Sequence, residues 1–249
     1  MIATTHFQAP DGIDIAVHQL GKGRPLILIH GYMSDAETNW IKYGHAQLLA
    51  NAGYRVIMPD LRAHGQSGKP HEKTFYPPDI LAFDQLALIA HLGLNEFDLG
   101  GYSLGARTTA RLLAAGVRPG QTFLAGMGLE GIINTGKRGS HFRDVFANLG
   151  KQERGSPGFF VEAFLKSTGG DPIALECVLD TFVDTPVETL RSFDFPIHVI
   201  CGVDDQDNGS AQALADILPR GQMWEIPGNH MSAVVKPELG QAILDALRG

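Results

Sequence analysis

The feature that most constrains this chain is a rhythm of short apolar runs separated by longer amphipathic stretches. Residues 25–30 (PLILIH) are apolar almost throughout and end at Gly31, as a strand buried on both faces does. Residues 54–59 (YRVIMP), 97–101 (FDLGG), 122–125 (TFLA), 197–201 (IHVIC) and 223–226 (MWEI) read as further short strands. Residues 13–20 (IDIAVHQL) alternate apolar and polar, the pattern of a half-exposed strand. Helical stretches fall between them at 45–51, 80–91, 104–115, 210–218 and 237–247. The last opens on Pro237, where a missing N–H costs little. Such alternation predicts parallel strands joined by right-handed crossovers, an α/β chain with a doubly wound sheet. The strands at 13–20 and 25–30 have no helix between them and predict an antiparallel edge.

Between residues 133 and 195 the rhythm fails. No clear strand is visible, and helical pieces rich in aromatics (HFRDVFANL, FFVEAFL, ALECVLDTFV) alternate with glycine breaks. This stretch predicts a helical insertion over the end of the sheet, with residues 1–132 and 196–249 as the core. A separate small domain is disfavoured, because so short a piece buries little by itself.

Composition narrows the function classes. A chain of 249 residues has room for one large α/β domain with a buried core. Its net charge of −7, without a basic block, would repel a phosphate backbone, so no nucleic-acid partner is expected. Cys177 and Cys201 are too few for a disulfide framework, and no Cys/His spacing suggests a metal. The first residues lack the basic start and apolar stretch of a signal peptide, and no apolar run approaches the ~18 residues of a membrane span. A cytoplasmic protein with no membrane span is the expectation.

Chemistry enters at Gly101-Tyr102-Ser103-Leu104-Gly105, a G-x-S-x-G pattern with a strand running in and a helix running out. A serine on so sharp a turn takes strained backbone angles, and the flanking glycines remove side chains that would clash. Its hydroxyl then stands at the carboxyl edge of the sheet, where open α/β folds place ligands. Serine needs a base to become a nucleophile. His230, in PGNHMS between the last strand and the last helix, lies at the same edge. The third member must orient the imidazole and stabilise its charge. Of the three carboxylates in Cys201-Gly202-Val203-Asp204-Asp205-Gln206-Asp207, Asp205 is preferred over Asp204, and Asp207 reads as a turn residue. Two backbone N–H groups should receive the oxyanion: Leu104, just after the serine, and Tyr32, in the loop His30-Gly31-Tyr32-Met33-Ser34.

Taken together, LILIHGYMSD, VIMPDLRAHGQSGKP, GYSLGA, VICGVDDQDN and PGNH, in that order along nearly the whole chain, resemble the α/β-hydrolase superfamily. The resemblance implies an α/β-hydrolase fold, a mostly parallel doubly wound sheet with a small helical cap at 133–195. It implies a structural loop at Asp60-Leu61-Arg62-Ala63-His64-Gly65-Gln66-Ser67 and a cofactor-free, metal-free serine hydrolase of the carboxylesterase type. Serine at 103 is unlike members that open epoxides or remove halide through an alkyl-enzyme ester. HGYM in place of HGGG leans away from esters of bulky tertiary alcohols. The expected partner is a small acyl substrate. Rivals are a carbon–carbon bond hydrolase or thioesterase with the same three residues, and a ligand-binding receptor with negligible turnover.

Two nucleotide-like signals are set aside. Gly126–Gly131 spells G-x-G-x-x-G, but the following Ile132-Ile133-Asn134-Thr135-Gly136 is a poor helix start. Gly131 to Lys137 nearly forms a phosphate loop, but Arg138 stands where Ser/Thr would bind magnesium. The phenylalanines of 142–165 suit either an apolar acyl pocket or, the favoured reading, the packing face of the insertion itself.

Overall fold

A computed structural model of the chain describes residues 1–249, save the side chains of Lys137 and Arg138. The near-phosphate-loop reading, which turns on those two side chains, lies outside the described residues. Eight strands form one sheet: β1 (Ala3–Gln8), β2 (Asp14–Leu20), β3 (Arg24–Ile29), β4 (Tyr54–Pro59), β5 (Asp98–Tyr102), β6 (Thr122–Ala125), β7 (Ile197–Gly202) and β8 (Gly221–Ile226). Their spatial order is β1-β2-β4-β3-β5-β6-β7-β8. Pairings from β4 through β3 to β8 are parallel, while β1–β2 and β2–β4 are antiparallel. Order reverses at β3, which sits between β4 and β5, so the sheet is doubly wound as the alternation predicts.

The antiparallel edge departs from expectation. β2 does not pair with β3; it pairs with β1 and β4, in register Val17↔Pro59 to Leu20↔Val56. β1 carries no strand signal because it is an exposed edge, with Phe7 its only buried residue.

Helices α1 (His45–Asn51) and α11 (Pro237–Arg248) cover one face; α2 (Ile80–His91), α3 (Leu104–Ala114) and α9 (Ala211–Ile217) cover the other. β3 shows why: Leu26 and Leu28 join the first cluster of buried side chains, Ile27 and Ile29 the second, as strand periodicity requires. Between β6 and β7 run α4 (Leu129–Ile133), α5 (Gly139–Ala147), α6 (Pro157–Thr168), α7 (Pro172–Leu179) and α8 (Val187–Leu190). Leu165, Ala174 and Leu175 of this segment pack in the same cluster as Ile27, Ile29 and Leu99 of the sheet. A one-turn α10 (His230–Ala233) follows β8.

The five-residue α4 starts inside the G-x-G-x-x-G stretch, where no helix start was expected. Its glycines have a packing reason: a Cβ on Gly128 would run into the carbonyl of Gly209, and one on Gly131 into Asn208. The 60–67 loop is fixed by Arg62, fully buried and bonded to Asp84 of α2 (2.8 Å), to Asp11 and to Phe75 O. Among the described residues no helix is long and apolar enough to cross a membrane.

Candidate active site

Ser103 is the single residue between β5 and α3, with φ 54° and ψ −112°, a conformation L side chains avoid. Space forces the pattern around it. A Cβ on Gly105 would strike the carbonyl of Ile29, and one on Gly101 would strike Gly105 and lie 2.7 Å from Ile29 O. Small residues at both positions let the β5–α3 turn press against the end of β3. The Ser103 N–H donates to Ala125 O at 2.8 Å, which ties the turn to β6.

The loops after β7 and β8 bring Asp205 and His230 to this point. His230 Nε2 lies 3.0 Å from Ser103 Oγ, and His230 Nδ1 lies 2.8 Å from Asp205 Oδ2. Burial by itself would raise the Asp205 carboxyl. Bonds from His230, the Asp207 N–H and the Cys201 thiol outweigh it and hold Asp205 below the usual carboxylate value. An ionised Asp205 accepts hydrogen bonds only, so Nδ1 carries the imidazole proton and Nε2 offers a lone pair to the serine hydroxyl. Asp205 is buried and Asp204 exposed, which separates the neighbours that sequence left open. Asp207 lies in the turn, its N–H on Asp205 Oδ1 at 3.1 Å.

Three supports were not foreseen. Tyr102, the unspecified residue before the serine, donates its hydroxyl to His230 O at 2.7 Å. Asn229 caps α10, accepting from Met231 and Ser232 N–H, while Ser232 Oγ accepts from the Asn229 N–H; the Asn-x-x-Ser spacing was the available signal. Cys201, read only as one of two cysteines too few for a disulfide framework, bonds to Asp205.

The other predicted loop is clamped. Leu61 N–H donates to His30 Nε2 (2.8 Å), so Nδ1 carries the proton and donates to Gly31 O (2.8 Å). Gly31 N–H donates to Asn39 Oδ1 at 3.0 Å. The Gly31 carbonyl belongs to the same rigid peptide as the Tyr32 N–H, so His30 sets the direction of that amide. Tyr32, Leu104, Ser103 and His230 line one cavity of about 840 Å3, a size typical of small-molecule sites. Phe142, Phe160 and Phe164 line it too, so the phenylalanine segments do more than pack against each other.

Comparison with known proteins agrees with this architecture. A family model described as alpha/beta hydrolase fold matches residues 24–122. A non-heme haloperoxidase of Rhodococcus erythropolis is 37% identical over 111 residues, 43% of this chain and 37% of that one. An epoxide hydrolase of Caballeronia sordidicola is 34% identical over 122 residues, 49% of this chain and 35% of that one. The chain thus spans little more than a third of the length of these curated relatives. The crystal structure of a bromoperoxidase from Bacillus anthracis superposes with a TM-score of 0.75 at 24% identity, covering 99% of this chain and 100% of that one. With its sheet order, its serine turn and these likenesses, the chain has the α/β-hydrolase fold, and its residues 24–122 match the family model of that description.

Proposed function

We propose that this chain is a serine hydrolase that cleaves a carboxylic ester through an acyl-enzyme, with Ser103, His230 and Asp205 as its catalytic residues. The observation that carries this reading is the continuous hydrogen-bond path from Ser103 Oγ through His230 to the Asp205 carboxylate. His230 Nε2 takes the hydroxyl proton as Ser103 Oγ attacks the carbonyl carbon. The Tyr32 and Leu104 amides receive the charge that forms on the substrate oxygen, and Asp205 stabilises the imidazolium. His230 then protonates the departing alcohol, and the ester bond breaks. Water, deprotonated by the same nitrogen, releases the acid and restores the hydroxyl.

Residues 133–195 act as a cap that walls the cavity and selects substrates; His141, Phe142, Phe160, Phe164 and Phe182 of the cavity lining all belong to it. The epoxide hydrolase relative does not carry over its activity, because a serine cannot supply the carboxylate of an alkyl-enzyme ester. Purified protein should hydrolyse 4-nitrophenyl esters and label with a fluorophosphonate at Ser103. Ser103→Ala should lower kcat by about a hundredfold or more. Retention of full activity by that variant would remove the proposal.

A further inference from the structure

The cavity beside Ser103 has two chemically different halves, and the chemistry of proton transfer decides which half holds which part of the substrate. The imidazole that deprotonates the serine must also protonate the leaving oxygen. The leaving group therefore lies on the His230 side of the reacting carbon. That side is built by the two loops that carry His230 and Asp205, and its lining includes Asp204, Gln206, Asn229 and Met231. Asp204 is exposed and lines the cavity, so it places a negative charge on this side.

The acyl part must extend the other way, past the Tyr32 and Leu104 amides. There the walls are aromatic. Tyr32 packs edge-on against Phe142 (4.9 Å between ring centroids) and Phe182 (6.4 Å), and Val161 and Phe164 line the same cavity. The Tyr32 hydroxyl donates to Leu175 O at 2.8 Å, so that ring offers the cavity mainly carbon. Arg107 lines the same half, its Nε on Gly131 O (3.0 Å) and its guanidinium 4.4 Å from the Phe182 centroid. A cavity of about 840 Å3 far exceeds what an acetyl group fills.

Resting on the hydrolase reading above, we propose that the site selects esters of bulky apolar acids with alcohols that carry no negative charge. The acyl chain fills the aromatic half, and Asp204 repels an anionic leaving group beside His230. Thioesters of polyanionic carriers are poor substrates for the same reason.

Two ester series test this with the intact protein. In the first, 4-nitrophenyl acetate, hexanoate, 4-phenylbutanoate and monoglutarate share one alcohol. Catalytic efficiency, kcat/KM, should rise by about tenfold or more from acetate to phenylbutanoate, and Phe164→Ala should erase most of that ratio, chiefly through KM. In the second, 4-phenylbutanoate esters of 3,3-dimethylbutanol, choline and 2-hydroxyethanesulfonate share one acid. The sulfonate ester should be cleaved about fivefold or more slowly than the neutral one, and Asp204→Asn should remove that gap. Preference for acetate, faster cleavage of monoglutarate than of hexanoate, or a sulfonate ester cleaved as fast as its neutral partner overturns the inference. Cleavage of no ester, with Ser103 unlabelled by fluorophosphonate, overturns the hydrolase reading itself and takes this inference with it.

Discussion

His30 shows how much one side chain can control. Its two ring nitrogens are both committed, one accepting from Leu61 and one donating to Gly31 O, and burial pushes its pKa below the ordinary histidine value. A neutral imidazole in one fixed tautomer thus holds the peptide that presents the Tyr32 N–H. If that amide stabilises developing charge, loosening it costs the transition state more than the bound substrate. His30→Ala should lower kcat for a 4-nitrophenyl ester by about tenfold to a hundredfold with little change in KM, while circular dichroism stays native. A variant with full kcat and a raised KM would refute this role. At this scale the sequence was direct for Ser103 and His230, because each residue type has few other uses at its place in the chain, and for the acid it gave a loop of three carboxylates with Asp205 preferred. Tyr102 and Cys201 were invisible, since a tyrosine and a cysteine acquire meaning only from what they touch.

At the scale of elements, helices announce themselves by their ends. Ser156-Pro157 and Asp171-Pro172 open α6 and α7: Ser156 accepts from Phe159 N–H, and Asp171 accepts from Ile173 and Ala174 N–H. Both prolines occupy first-turn positions, where no N–H is needed. Asp171→Ala should cost about 1 kcal/mol, read as a fall in Tm of about 2–4 °C for a chain of this size. A Tm within 0.5 °C (roughly 0.2 kcal/mol) of the unmodified chain would show that the cap contributes nothing. Helices of two or more turns were readable because a buried face repeats several times along each. β1 and α10 were not: β1 buries one side chain, and α10 is four residues long.

The whole molecule carries a pH dependence that no single element reveals. Burial lowers the pKa values of His30, His45 and His198, and drives His64 down to about 3. His64 donates Nδ1–H to Arg62 O, while its buried Nε2 has no hydrogen-bond partner among the described residues. Below a pH of about 6.5 the unfolded chain binds protons that these folded histidines refuse, so stability falls as pH falls. His18 opposes the trend: Asp60 raises its pKa, so its contribution is complete in acid and is lost as pH rises. Four lowered histidines outweigh one raised, and urea unfolding should show stability dropping from pH 7 to pH 5. Each proton taken up contributes about 1.4 kcal/mol per pH unit. His64→Gln should flatten that slope by about one proton; an unchanged slope would show that His64 titrates normally.

By itself the sequence determined the class of fold, the serine and the histidine that meet at the carboxyl edge, and the loop from which the acid comes. Strand and helix periodicities are local, and the G-x-S-x-G turn, the acid loop and the histidine loop each follow a strand that the sheet must align. Tertiary structure alone decided the rest: that β2 leaves β3 for β4, that Asp205 rather than Asp204 turns inward, and that the phenylalanines wall a cavity. Those outcomes depend on contacts between residues far apart in the chain, where one peptide rotation sends a carboxylate to solvent or to an imidazole, and no local pattern records which.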